Sequence, residues 1–127
     1  MEIHTHQRIS RSLCGSPVAV GEGFSRVEMI ALPEMVVDDS GLVHGGYVFG
    51  LADHAAMIAV NHPNVVLGGA ECRFLKPVRV GESMTAEAAM EPSEGKKRLV
   101  SVTVSRGDEP VFTGTFTCFV LDKHVLG

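Results

Sequence analysis

The segment His44-Gly45-Gly46-Tyr47-Val48-Phe49-Gly50-Leu51-Ala52-Asp53-His54-Ala55-Ala56-Met57-Ile58-Ala59-Val60-Asn61 decides the fold. Its alanines and its lack of proline suit a helix, and Val48, Leu51, Ala52, Ala55 and Ala59 fall on one helical stripe. The other positions are nearly all apolar as well, so this helix has no polar side to give to water and is expected to be buried. Its small side chains let surrounding backbone come close. Asn61-His62-Pro63-Asn64 ends it, because proline cannot continue the hydrogen-bond ladder.

Upstream, Gln7 to Cys14 carries Ile9 and Leu13 four apart, the pattern of a short helix closed by Gly15-Ser16-Pro17. Val18 to Leu32 reads as one extended strand, with Gly21 and Gly23 permitting a bend or bulge. Pro33 stops it, and Asp38-Asp39-Ser40-Gly41 is loop chemistry. Downstream, apolar residues alternate at period two in four runs: Ala70, Cys72, Phe74; Met84, Ala86, Ala88, Met90; Val100, Val102, Val104; and Phe112, Phe116, Cys118, Val120. Pro77 with Gly81, Pro92 to Gly95, and Gly107 to Pro110 separate them, which predicts an antiparallel meander of four strands. The expected class is α+β: one domain over residues 1–127, an antiparallel sheet wrapped around a central buried helix, and a partly flexible N-terminal segment over about residues 1–16.

Composition narrows the function. At 127 residues and 45% hydrophobic, the chain can bury a core without a disulfide or metal. A formal net charge of -4 argues against nucleic acid as a partner. No basic region followed by an apolar run opens the chain, and no stretch approaches a membrane span, so the expectation is a soluble cytoplasmic protein with no membrane partner. Cys14, Cys72 and Cys118 cannot all pair and lack zinc-type spacing; they read as reduced thiols, the last two as small core residues. Six histidines show no ligand spacing, so no metal and no cofactor are expected.

Asp53 is the residue that does not belong, because an ionised carboxylate is costly to bury without partners. With Phe49, Ala56, Met57 and Val60 around it at helical spacing, a solvent-facing sector has little room. A functional carboxylate or a polar contact between subunits remains. Just before the helix, His44-Gly45-Gly46 offers backbone N–H groups at the positive end of the helix dipole, suited to an anion or oxyanion as well as to a plain tight turn.

His44 to Asp53, with Ala55-Ala56 and Asn61, resembles the HGG…LAD…A…N segment of hotdog-fold thioesterases of the phenylacetyl-CoA thioesterase (PaaI-like) type. Phe74-Leu75-Lys76-Pro77-Val78-Arg79-Val80-Gly81-Glu82 is similar to that family's second motif, and the likeness spans roughly residues 18–121. The resemblance implies a hotdog fold, hydrolysis of a small or medium acyl- or aryl-coenzyme A thioester, and a homodimer or dimer of dimers. It also implies that Asp53 is the catalytic base or nucleophile, that the Gly45 N–H polarises the thioester carbonyl, and that His44 positions the turn.

Eight helical steps separate Gly45 from Asp53, roughly 12 Å, too far to act on one carbonyl within one chain. The site is therefore expected to be shared across a two-fold dimer. His54 points about 100° away from Asp53 around the helix, which speaks against a dyad. Asp38 stands where relatives often carry asparagine, and Met57 and Leu67-Gly68-Gly69 stand where some carry a hydroxyl for the hydrolytic water. Water positioning is thus unassigned, which lends weight to an alternative, a non-catalytic acyl-CoA binding or regulatory domain. A hotdog dehydratase would require a histidine and an acid in an arrangement that this helix does not offer, and a plain interaction scaffold would have no use for Asp53.

Coenzyme A would bring phosphates and a long arm, for which Lys76, Arg79, Lys96, Lys97 and Arg98 are the candidate contacts. Gly46, Tyr47, Phe49, Met57, Val60 and Phe74 are the candidates for the acyl and thioester pocket.

Overall fold

The computed structural model describes all 127 residues. A one-turn helix α1 (Arg11–Cys14) leads into strands β1 (Ser16–Gly21) and β2 (Phe24–Ile30). A 3-10 turn (Pro33–Met35) precedes helix α2 (Gly45–Val60), and β3 (Val65–Phe74), β4 (Ser83–Met90), β5 (Lys97–Arg106) and β6 (Glu109–Val120) follow. The six strands form one antiparallel sheet in the order β1-β2-β4-β5-β6-β3, and its inner face packs on α2. This is the expected α+β arrangement of sheet and long helix, with two corrections.

First, the expected single strand over residues 18–32 is a hairpin. Glu22-Gly23 turns the chain, Gly23 at φ +69, and Gly21 pairs with Phe24. Glycine chemistry that would also fit a bulge here makes a full reversal. Second, the four downstream strands are not one meander. Only β4-β5-β6 are consecutive neighbours, whereas β3 pairs with β6 on the far edge of the sheet. Residues 75–82 therefore cross the end of the sheet from β3 to β4, past β6 and β5. Three strand spacings are about 14 Å, well within the reach of eight extended residues and far more than a hairpin needs. Leu75 N–H and Lys76 N–H donate to Val111 O on the way, and Gly81 N–H donates to Ala31 O.

The N-terminal segment meets the far end of the long helix. Asn61 holds it against the end of α2: His4 N–H donates to Asn61 Oδ1 at 2.7 Å, and Asn61 Nδ2 donates to Glu2 O at 2.7 Å. The same Asn61 ends the helix, adopting the left-handed conformation at φ 52, so the stop comes two residues before Pro63.

Period-two alternation places the core as read. Val27 and Met29, Met84, Ala86 and Ala88, Val100, Val102 and Val104, and Phe112, Phe116 and Cys118 are all buried on the inner face. Ser25 joins them and donates its hydroxyl to Ala55 O at 2.6 Å, which satisfies a buried polar group. The sheet does not enclose α2 on every side. Gly46 is exposed and Phe49, Gly50, Asp53 and Val60 are only half-buried, and on β3 the inward positions Ala70 and Phe74 are exposed. One side of the helix and the inner face of the edge strand are left uncovered together. No helix is long and apolar enough to cross a membrane.

Candidate active site

The entry to α2 is built by hydrogen bonds that commit its amides one by one. Val43 N–H donates to Val78 O and His44 N–H to Met35 O, both at 2.9 Å. Gly46 N–H donates to the His44 imidazole Nδ1 at 2.8 Å, making His44 the N-cap, and Tyr47 N–H donates to His44 O at 3.1 Å. Gly45 N–H alone in this run donates to nothing. A free amide at the positive end of a sixteen-residue helix is what an oxyanion needs.

Side chains press closely on both glycines. A Cβ on Gly46 would stand 2.8 Å from His44 Nδ1, and a Cβ on Gly45 would stand 3.1 Å from Cε1 of Phe74. The Phe74 ring, 55% exposed, lies over Gly45 and packs edge-on against Phe112 at 5.1 Å between centroids. Gly45, Val48, Phe74, Lys76 and Val78 line part of a cavity of about 280 Å³ at this end of the helix. The structure thus brings Gly45, Phe74 and Lys76 together, elements distant in sequence joined by the crossing segment.

Asp53 is not among them. It sits two turns further along α2, in the middle of the uncovered side, with Phe49 one turn before it packed on Phe112 and Phe116. Its Oδ1 is shielded from solvent and accepts no hydrogen bond. Burial pushes the carboxyl up to about 6, and no cation offsets it. Burial and the neighbouring Asp53 charge push the Cys118 thiol up to about 12, and the same two influences raise Cys14, so neither thiol is a ready nucleophile. His54 turns the other way: it is buried, its Nδ1 lies 3.1 Å from Cys14 O, and desolvation pushes its pKa down.

The remaining candidates divide. Tyr47 is half-buried beside the His44 ring, edge-on at 6.3 Å. Met57, expected in the acyl pocket, is 1% exposed and belongs to the core, because its helical position turns under the sheet. Lys76, Arg79 and Lys97 are exposed, and Lys96 is paired with Asp122 at 2.9 Å. Arg98, a candidate phosphate contact, is the second residue of β5 and faces inward, its Nη1 shielded and without a partner. Its sequence signal was available: Arg98 keeps the period of Val100, Val102 and Val104. Glu82 of the second motif has a structural task. Its Oε1 accepts Arg79 N–H at 2.6 Å and an Arg106 guanidinium proton at 3.2 Å, while Arg106 also donates to Pro77 O.

The sheet wrapped on one long helix is a hotdog fold, and the site just described sits where its helix begins and where it is uncovered. The model of the thioesterase superfamily matches residues 40–113, more than half of the chain, and the chain belongs to that superfamily. The crystal structure of an uncharacterized protein, PH1136 from Pyrococcus horikoshii, is 53% identical with a TM-score of 0.99, covering 100% of this chain and 98% of that one. The Escherichia coli PaaI protein shares the fold, with a TM-score of 0.83 at 21% identity over 94% of this chain and 88% of that one. Among curated relatives, a methylthioribose-1-phosphate isomerase of Aquifex aeolicus is 48% identical over 128 residues, 100% of this chain and 28% of that protein. The transcription factor FapR of Shouchella clausii is 36% identical over 87 residues, 68% of this chain and 46% of that protein. The chain therefore spans less than half the length of either curated relative, and each of those names describes a protein that extends well beyond the match.

Proposed function

We propose that the chain is an acyl-CoA thioesterase that hydrolyses small or medium acyl- or aryl-coenzyme A thioesters at a site shared between two copies. The observation that carries this reading is Asp53, a shielded carboxylate with an unpaired oxygen on the one side of α2 the sheet leaves open. A lone chain gains nothing from it, since an unpaired buried carboxylate costs stability. Acyl transfer to water needs such a group to deprotonate water or attack the carbonyl, and a donor for the developing oxyanion. Gly45 N–H is that donor, and the roughly 12 Å between it and Asp53 along the helix requires a second copy. The uncovered helix side and the open β3 edge are where that copy, in a homodimer or dimer of dimers, would seat.

In the shared site, Gly45 of one copy holds the carbonyl oxygen while Asp53 of the other takes a proton from water. The oxygen of that water adds to the thioester carbonyl carbon, the tetrahedral intermediate collapses with cleavage of the C–S bond to give the acid, and the departing thiolate recovers the proton from Asp53. Lys76 and Arg79 on the crossing segment, and Lys97 at the start of β5, stand exposed for the coenzyme A phosphates. The test is thiol release from a panel of acyl-CoA esters varying in chain length and aromaticity; release from none of them overturns the reading. A second reading, acyl-CoA binding without turnover, is favoured by the match to a transcription factor. It predicts tight binding of the same esters with no thiol released.

A further inference from the structure

Two side-chain atoms of the whole chain are buried without a hydrogen-bond partner: Asp53 Oδ1 and Arg98 Nη1. The proposed reaction uses the first and leaves the second unexplained. Arg98 lies on the inner face of the sheet, in step with Val100, Val102 and Val104, and its cross-strand partner is the buried Cys118. Cys118 is in turn opposite Leu67 of β3, so Arg98, Cys118 and Leu67 form one row running toward the uncovered edge. Phe49 packs on Phe116 at 5.4 Å between ring centroids, and Asp53 follows Phe49 by one helical turn as Cys118 follows Phe116 by two strand residues, which sets Asp53 above the same row. The two unpaired groups therefore flank one residue. They do not neutralise each other: Arg98 is in none of the four ion pairs of the chain.

A guanidinium cannot shed its proton to escape burial. Arg98 is half-buried, with Nη1 shielded and unpartnered, and keeping even part of a cation from water without a partner is costly where an apolar residue would serve the fold better. Its charge calls for an anion arriving from outside, in the space that Asp53 also faces. Nucleotide phosphates are bulky and hydrated, and suit the exposed Lys76 and Arg79. A carboxylate on a narrow chain matches the flat guanidinium fork and can reach a shielded nitrogen.

Building on the thioesterase reading, we propose that Arg98 receives a carboxylate at the far end of the acyl group, so that the preferred substrates are coenzyme A thioesters of short dicarboxylic acids. Cross-strand partners stand about 5 Å apart at Cβ. A four- to six-carbon diacid held with its thioester carbonyl at Asp53 would place its free carboxylate on the Arg98 side of Cys118.

The test compares two non-hydrolysable thioethers, S-(4-carboxybutyl)-CoA and S-pentyl-CoA, by calorimetry on the intact protein, on Arg98→Met and on Arg98→Lys. The wild type is expected to bind the carboxylated ligand roughly tenfold to hundredfold more tightly, the worth of a charge-assisted hydrogen bond. Arg98→Met should bring that ratio near one, Arg98→Lys should keep part of it, and the unliganded Met variant should melt no lower than the wild type. Equal binding of both ligands by the wild type overturns the proposal even where no variant folds. So does a preference that survives Arg98→Met. Loss of the dimer in that variant also overturns it, by showing that a carboxylate of a second copy is what Arg98 meets. Binding of neither ligand overturns the acyl-CoA reading itself, a failure distinct from equal binding.

Discussion

The imidazole Nδ1 of His44 accepts the amide proton of Gly46 at 2.8 Å, and this bond leaves the neighbouring Gly45 N–H as the free donor of the turn. His44 is therefore a cap before it is anything else. Replacing it with alanine should cost about 1 kcal/mol, the usual worth of an N-cap. Asparagine, which caps equally well, should restore the melting temperature. A His44→Ala protein as stable as the wild type would show that the cap does not hold the turn.

Asp53 couples stability to activity. Burial raises its carboxyl to about 6, above the ordinary unfolded value. The folded chain thus binds the proton more tightly than the unfolded one. Its contribution to stability is complete below about pH 4 and is lost as pH rises through about 6. Asp53→Asn cannot ionise and should be more stable than the wild type by about 1–3 kcal/mol near pH 7.5, the gap closing at pH 4. Denaturant midpoints at the two pH values measure it. The same substitution should lower kcat by at least about a hundredfold, while wild-type kcat/KM rises with pH through about 6. Near-native turnover in Asp53→Asn would remove the residue from the chemistry.

How much of this was legible in the sequence depends on how local each cause is. Helix α2 was readable almost to the residue, since a Gly-Gly entry and an alanine-rich run act within a few positions. The strands after it were readable too, because alternation of Val100, Val102 and Val104 needs only one covered face. The neighbours of β3 were not. Pro77 and Gly81 mark a turn equally well whether the chain reverses or crosses the sheet, and strand pairing is settled by contacts between β3 and β6, from Phe74 with Phe112 to Val65 with Val120, far apart in the chain. At the site, Asp53 stood out as a carboxylate in an apolar helix. The lid of Phe74 on Gly45 did not, because it needs that same crossing. Arg98 counts as a phosphate contact by its residue type, although its register turns it toward the inner face of the sheet.

Gly45 allows donor and shape to be separated. Proline is tolerated at the first helical position and removes the N–H, whereas alanine keeps it. Either side chain would press on Phe74, whose Cε1 stands 3.1 Å from the new Cβ. Gly45→Ala should therefore lower activity modestly and Gly45→Pro should nearly abolish it. If both fall equally, the ring and not the amide is what matters, and thermal melts will show whether the helix start survived.

Sharing of the site between copies gives a stricter test. An Asp53→Asn chain and a Gly45→Pro chain are each expected to be inactive alone. Mixed as heterodimers, they should recover up to about half of wild-type turnover per dimer, because one of two composite sites then keeps both groups. Failure of verified, folded heterodimers to complement would place the whole reaction within one chain.

The charges on the crossing segment should act on capture and leave the chemical step alone. Lys76 lines the Gly45 cavity and Arg79 is exposed, held by its backbone to Glu82 while its guanidinium is in none of the ion pairs. Exposed contacts to phosphate are screened by salt and contribute about 1 kcal/mol or less each. Arg79→Ala and Lys76→Ala should raise KM for acyl-CoA several-fold, change kcat little, and flatten the dependence of kcat/KM on ionic strength. A pantetheine thioester without the nucleotide provides the comparison, since it has no phosphates for these side chains to meet. If its KM rises as much as that of the full substrate, Lys76 and Arg79 serve the cavity wall or the fold, and the nucleotide binds elsewhere.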